Sequence, residues 1–193
     1  MFGYQSLMQE TYLAHEDFKK EWKDWRNGNL KKDKKGTGCL EPVKVTAARD
    51  NFDHKLDALY GSKIEPLEKK FLDNPKSAMD ELIEFLSTDI TAFRCGYAKE
   101  IFLQWLKNTE ISAKEIKQLQ QVAIKMCETN NVRREFRRWC RLAIKLADKE
   151  FILELMQLLK SENVYTRIKS RWMIELIQKH RLDLRKQQKS NEC

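Results

Sequence analysis

Every proline in this chain lies at or before position 75, and the last glycine is Gly96. About half of the 193 residues therefore run without either of the residues that most readily interrupt a helix. Polar N-cap residues punctuate that stretch instead: Ser112 with Glu115 three residues on, then Asn131, Asp148 and Asn163. Each stands before apolar residues at helical spacing. The pattern predicts helices from Ser112 to about Glu128, Val132 to about Ala147, Asp148 to about Lys160, and Asn163 to about Leu184. The turns between them are short, and short turns make antiparallel neighbours.

The first part of the chain reads similarly, with wider gaps. Ser6 and Gln9 form a capping box for a helix to about Arg26, with Leu7, Met8, Tyr12, Phe18, Trp22 and Trp25 at helical spacing. A loop over 27–45 follows, whose stretch NGNLKKDKKGTGCLEP mixes Gly28, Gly36, Gly38 and Pro42 with four lysines. A helix from Thr46 to Leu59 is ended by Gly61, a short one spans Pro66 to Leu72, and Asn74 caps the next with Pro75 at its first position. A further helical segment covers about Ile90 to Leu106. The expectation is an all-α fold of antiparallel helical hairpins in one domain, 1–193. It comprises an N-terminal helix at 1–26, the loop at 27–45, helical repeats at 46–184 and a polar tail at 185–193. Five Trp, nine Phe and five Tyr supply material for a core. Six Gly and three Pro are too few for a collagen-like, low-complexity or turn-rich β chain.

The hairpins repeat. At an offset of 73 residues Glu81 matches Glu154, Leu82 matches Leu155 and Arg94 matches Arg167, while Ile83, Phe85 and Leu86 match Met156, Leu158 and Leu159. Asn131-Val132 and Asn163-Val164 open helices 32 residues apart. In these features the chain resembles HEAT-like α-helical repeats over about residues 76–180. The Asp-Val pair of that family's turn stands here as Asp89-Ile90, Asn131-Val132 and Asn163-Val164. The bulky Trp139 and Trp172 replace small residues of the family's inner helix. The resemblance implies an α-solenoid with a curved surface for partners, mostly proteins and sometimes nucleic acid.

Charge is unevenly spread. The net charge is +8, and from Val132 onward there are 16 basic and 8 acidic residues, so the first two thirds of the chain are neutral. Nine of the twelve arginines lie in that last third. Most are concentrated in NNVRREFRRWCRLAIKLAD. At a helical step, Arg133, Arg134, Arg137, Arg138, Arg141 and Lys145 share an arc of about 140°. Phe136, Trp139, Cys140, Leu142, Ala143 and Leu146 fall opposite. Arg167 and Arg171 follow at i, i+4 spacing two helices later, with Lys169 and Lys179 nearby, and are expected to join the same stripe. Guanidinium groups suit bidentate contacts to carboxylate or phosphate.

Other chemistry finds little support. GxxxxGK[ST] and GxSxG are absent, and the Gly-Thr-Gly of the lysine loop is not a phosphate cradle. His15, His54 and His180 are isolated. Cys39, Cys95, Cys127, Cys140 and Cys193 form no CxxC pair, so neither a zinc site nor a disulfide framework is expected, and no metal or cofactor is implied. No apolar run reaches the length of a membrane span, and the N-terminus is not patterned as a secretory signal, so a cytoplasmic location is expected. The expected function is non-catalytic: an adaptor whose basic face, built by Arg133, Arg134, Arg137, Arg138, Arg141, Lys145, Arg167 and Arg171, binds an acidic protein surface. One alternative is a module that binds a nucleic-acid backbone. Another, weaker one is a HEAT-like DNA glycosylase, for which Trp105, Trp139 and Trp172 with Asp148 are the only ingredients. The oligomeric state is not specified by the sequence.

Overall fold

The computed structural model describes residues 4–29, 43–88, 95–129 and 135–191. All regular structure among them is helical. The lysine-rich stretch 30–42, the Asp89-Ile90 pair with Arg94, the Asn131-Val132 pair with Arg133 and Arg134, and Cys39 and Cys193 lie outside the described residues. The chain, read from its sequence as one domain, divides into two compact units. One holds the residues up to Asn74 together with Thr88, and the other holds 75–87 and the residues from Cys95 onward.

The first unit contains α1 (Tyr4–Asn29), α2 (Val43–Leu59), a π-helical turn (Tyr60–Ile64) and α3 (Glu65–Asp73). Helix α1 starts ahead of Ser6, so Ser6 lies inside the helix instead of capping it. The cause is tertiary: Tyr4 is fully buried, and its hydroxyl donates to the Lys63 carbonyl at 3.3 Å. Gly28 does not stop the helix, which ends one residue later; a glycine so near the end costs little. Helix α2 begins three residues before Thr46 and does not stop at Gly61. The backbone widens there into the π turn, and Leu59 and Ile64, five residues apart, are both fully buried.

Helices α1 and α2 pack along their lengths through Met8 and Ala14 on one side and Val45, Phe52 and Leu56 on the other. Thr11 sits between them, its hydroxyl donating to the Leu7 carbonyl at 2.8 Å and to the Lys55 carbonyl at 3.3 Å. Beside it the His15 ring stacks on Phe52 at 4.8 Å, and Phe18 stacks on the same ring at 6.4 Å. The His15 Nδ1 is buried with no hydrogen-bond partner among the described residues. Burial therefore lowers the His15 pKa, with Lys19 adding to the effect and Glu16 opposing it.

The second unit contains α4 (Pro75–Ser87), α5 (Cys95–Asn108), α6 (Ala113–Glu128), α7 (Phe136–Leu146), α8 (Lys149–Leu158) and α9 (Val164–Asn191). Helix α4 packs on α6 and α6 on α8, while α5 packs on α7 and α7 on α9. Between these two sets, α6 meets α7 and α9, and α8 meets α9. The core holds an aromatic chain, with Phe85 edge-on to Phe102 and Phe102 edge-on to Trp105 at 5.5–5.8 Å, and a fully buried Trp139.

Three of the expected caps are present in the second unit. Ser112 and Glu115 form a reciprocal capping box at α6. Asp148 accepts from the Phe151 amide at α8, and the Asn163 side chain accepts from the Tyr165 and Thr166 amides at α9. The tail expected after Leu184 is instead helical to Asn191. The residues beyond Leu184 are mostly Arg, Lys and Gln, which have good helix propensity, and no Gly or Pro intervenes.

The His15 shift gives the first unit a pH dependence. With the folded pKa below the unfolded value, stability is fully present above about pH 6.5. It falls as the pH drops through that value, because the unfolded chain then binds the extra proton. Urea unfolding is expected to show a smaller free energy at about pH 5.5 than at about pH 7.5. The His15→Phe variant should lose most of that difference. An equal pH slope in the variant would show that His15 is not its source.

Candidate arginine face

Helix α7 is as amphipathic as its sequence demands. Phe136, Trp139, Cys140, Leu142, Ala143 and Leu146 are all buried, and Arg137, Arg141 and Lys145 are exposed with Arg138 half-buried. Helices α5 and α9 flank it and fix its rotation, so the apolar stripe faces inward and the arginines outward. Arg138 reaches sideways to α5, where its Nη1 donates to Gln104 Oε1 at 2.7 Å. Arg137 and Arg141 make no hydrogen bond or ion pair with a described residue. On α5 the exposed Tyr97 and Ile101 lie on the same side as Gln104. On α9 the Trp172 ring meets Phe136 at 6.4 Å and remains 45% exposed. Arg138 thus reaches the side of α5 that carries the exposed Tyr97, and the partly exposed Trp172 of α9 meets the first residue of α7.

The other predicted members of the face are used differently. Lys145 Nζ donates to the backbone carbonyls of Leu106, Lys107 and Thr109, at 3.0 and 3.2 Å for the first two. It closes the C-terminus of α5, whose last carbonyls have no partner within the helix. Burial holds the Lys145 pKa below the ordinary lysine value, against the pull of Glu110. Arg167 Nη1 donates to the carbonyls of Ser161 and Glu162 at 2.7 and 2.8 Å, which fastens the α8–α9 turn. Arg171 is exposed and unpaired among the described residues, but it stands about 100° round α9 from Trp172, the residue that meets α7. The merged stripe therefore does not form from these side chains: a tryptophan, not an arginine, adjoins the α7 face. Arg133 and Arg134 lie outside the described residues.

Lys169 departs furthest from expectation. It is fully buried, and its Nζ donates to the Met126 carbonyl at 2.6 Å, the Thr129 carbonyl at 2.7 Å and the Thr129 hydroxyl at 2.6 Å. All three ammonium protons are thereby used at the C-terminus of α6, and the charge lies 5.7 Å from the centre of the Phe136 ring. The signal was in the spacing. Thr166, Lys169, Ser170, Met173 and Ile177 all fall on one side of α9, and that side is the buried one. Lys99 follows the same logic on α5, fully buried with its Nζ 5.6 Å from the Phe85 ring centre.

Two ingredients of a base-excision site, Asp148 and Trp139, are employed structurally. Asp148 Oδ1 caps α8, and Oδ2 accepts from Gln120 Nε2 at 3.0 Å and Lys117 Nζ at 2.9 Å. The Gln120, Phe151 and Lys117 hydrogen bonds hold its carboxyl well below the usual carboxylate range. Trp139 is fully buried and cannot stack on a ligand. Burial pushes the Cys140 and Cys127 thiols up to about 12 and that of Cys95 to about 11, so the arginines beside Cys140 do not activate it. Among the described residues no cluster of His, Cys, Asp and Glu could hold a metal ion, and no helix is long and apolar enough to cross a membrane. Comparison with known proteins adds no relative: no family model, no curated protein and no solved structure matches the chain.

Lys169→Met keeps the stem of the side chain and removes its three hydrogen bonds. The variant is expected to lose about 2 kcal/mol of stability, because the carbonyls ending α6 are left buried and unpaired. Equilibrium urea unfolding at constant m-value measures this. An unchanged midpoint would mean that the bonds contribute nothing net.

Proposed function

We propose that the second unit is a HEAT-like helical stack that acts as a non-catalytic adaptor, binding an acidic protein surface through the outer side of α5 and α7 and the adjoining Trp172 edge of α9. The layering reading is supported by how the helices alternate: α4, α6 and α8 pack in series, as do α5, α7 and α9. The observation that carries the binding reading is that Arg137 and Arg141 remain exposed and uncompensated while the rest of α7 is anchored in the core. Like charges at i, i+4 on one helix repel, and an acidic partner would remove that cost. Tyr97, Ile101 and Trp172 beside the arginines give the mixture of aromatic, aliphatic and guanidinium groups typical of protein hot spots.

A second reading has one specific observation in its favour. Trp172 offers an exposed ring beside a basic helix, which is what stacking on a single-stranded nucleic acid requires. That mode would contact phosphates and carry little sequence specificity.

Fluorescence anisotropy separates the two, with a labelled poly-glutamate peptide and labelled single-stranded DNA, RNA and duplex DNA as probes. The peptide is expected to bind, and binding should be lost in Arg137→Glu/Arg138→Glu/Arg141→Glu with helicity by circular dichroism intact. The charge-matched control Lys44→Glu/Lys69→Glu/Lys76→Glu should retain it. Equal loss in both variants would reduce the face to bulk electrostatics. Tighter binding to a single strand, with quenching of Trp172, would move the function to nucleic acid.

A further inference from the structure

Helix α9 is 28 residues long, about 42 Å, and up to Gln188 the last buried residue is Ile177. From Gln178 to Gln188 every residue is exposed. A single helix of that length surrounded by water is only marginally stable, so this segment gains from a surface to lie against. The exposed side of α9 carries a regular seam. Val164, Ile168, Arg171, Glu175, Gln178 and Leu182 recur at alternating spacings of four and three residues, and all are exposed. That alternation is the period of a two-helix coiled coil. The apolar members are well exposed, Val164 at 54% and Leu182 at 55%. Arg171 and Glu175 each make no ion pair or hydrogen bond with a described residue.

The seam is complementary to itself when reversed. Laid antiparallel on an identical helix with Met173 at the centre, Val164 falls opposite Leu182, Ile168 opposite Gln178, and Arg171 opposite Glu175. One register thus satisfies both the apolar pair and the charged pair, each twice. Beyond the seam, exposed Arg185 of one copy comes within a residue of Glu162 of the other, whose carboxylate is also exposed. Reciprocal pairing of this kind is what a twofold interface requires.

We propose that the outer side of α9 pairs antiparallel with the same side of α9 in a second copy of this chain, about a twofold axis at the level of Met173 between Arg171 and Glu175. The pairing uses none of Arg137, Arg138 or Arg141, so it stands or falls separately from the adaptor reading.

Sedimentation equilibrium of the full chain tests it. A dimer mass that grows with concentration is expected. Leu182→Asp, at an exposed position, should give a monomer with unchanged helicity by circular dichroism. Arg171→Glu alone and Glu175→Arg alone should each weaken association at least about tenfold, since each sets like charges across the axis. The double variant Arg171→Glu/Glu175→Arg restores opposite charges and should restore the dimer. A wild-type chain that stays monomeric at its highest soluble concentration would overturn the proposal. So would a dimer indifferent to Leu182→Asp, or a double variant no better than the singles.

Discussion

The buried ammonium of Lys169 joins three helices of the second unit at one point. It comes from α9, ends α6 by bonding the Met126 and Thr129 oxygens, and lies near the ring of Phe136 at the start of α7. A lysine out of water is costly unless every proton finds an acceptor, and here each one does. The same device appears where Lys145 closes α5, and more weakly where Arg181 donates to the Ala147 carbonyl just after α7 at 3.4 Å. Basic side chains thus complete the C-termini of neighbouring helices, where the macrodipole also favours positive charge. Some of the excess positive charge of this chain is therefore architectural and is not available to a partner.

That division decides which arginines remain free for binding. Helix α7 is rotated so that six apolar residues face the core, which leaves Arg137 and Arg141 no direction but outward. Lys145, one turn further on, is near enough to the end of α5 to be used there, and Arg167 is near enough to its own preceding turn. Glu110, just after the end of α5, acts on Lys145. Glu135, at the foot of α7, is buried beside Gly96, where a Cβ would approach its Oε2 to 3.4 Å.

Much of this architecture was readable from local chemistry. The cap residues Ser112, Asp148 and Asn163 mark helix starts because their side chains meet the first free amides, a purely local interaction. The buried side of α7 was likewise written in its 3.6-residue period. Reading failed where distant parts of the chain decide. Tyr4 extends α1 past its apparent cap because Lys63 offers it an acceptor, and burial of Leu59 and Ile64 carries the chain through Gly61. Lys169 and Lys145 looked like members of a basic surface because charge suggests exposure. Their acceptors lie about 40 residues earlier in the chain, which no local pattern reveals. Trp172, read as an inner-helix residue, proves half-exposed beside α7.

The central claim is that the surface around Arg137, Arg138 and Arg141 is where this chain meets its partner. Hydrogen–deuterium exchange of the full chain, with and without saturating poly-glutamate peptide, maps that surface directly. Protection concentrated in α7 and in the adjoining turns of α5 and α9 is the result predicted. Protection confined to the lysine-rich stretch 30–42 or to the exposed end of α9, with α7 unchanged, would contradict the account.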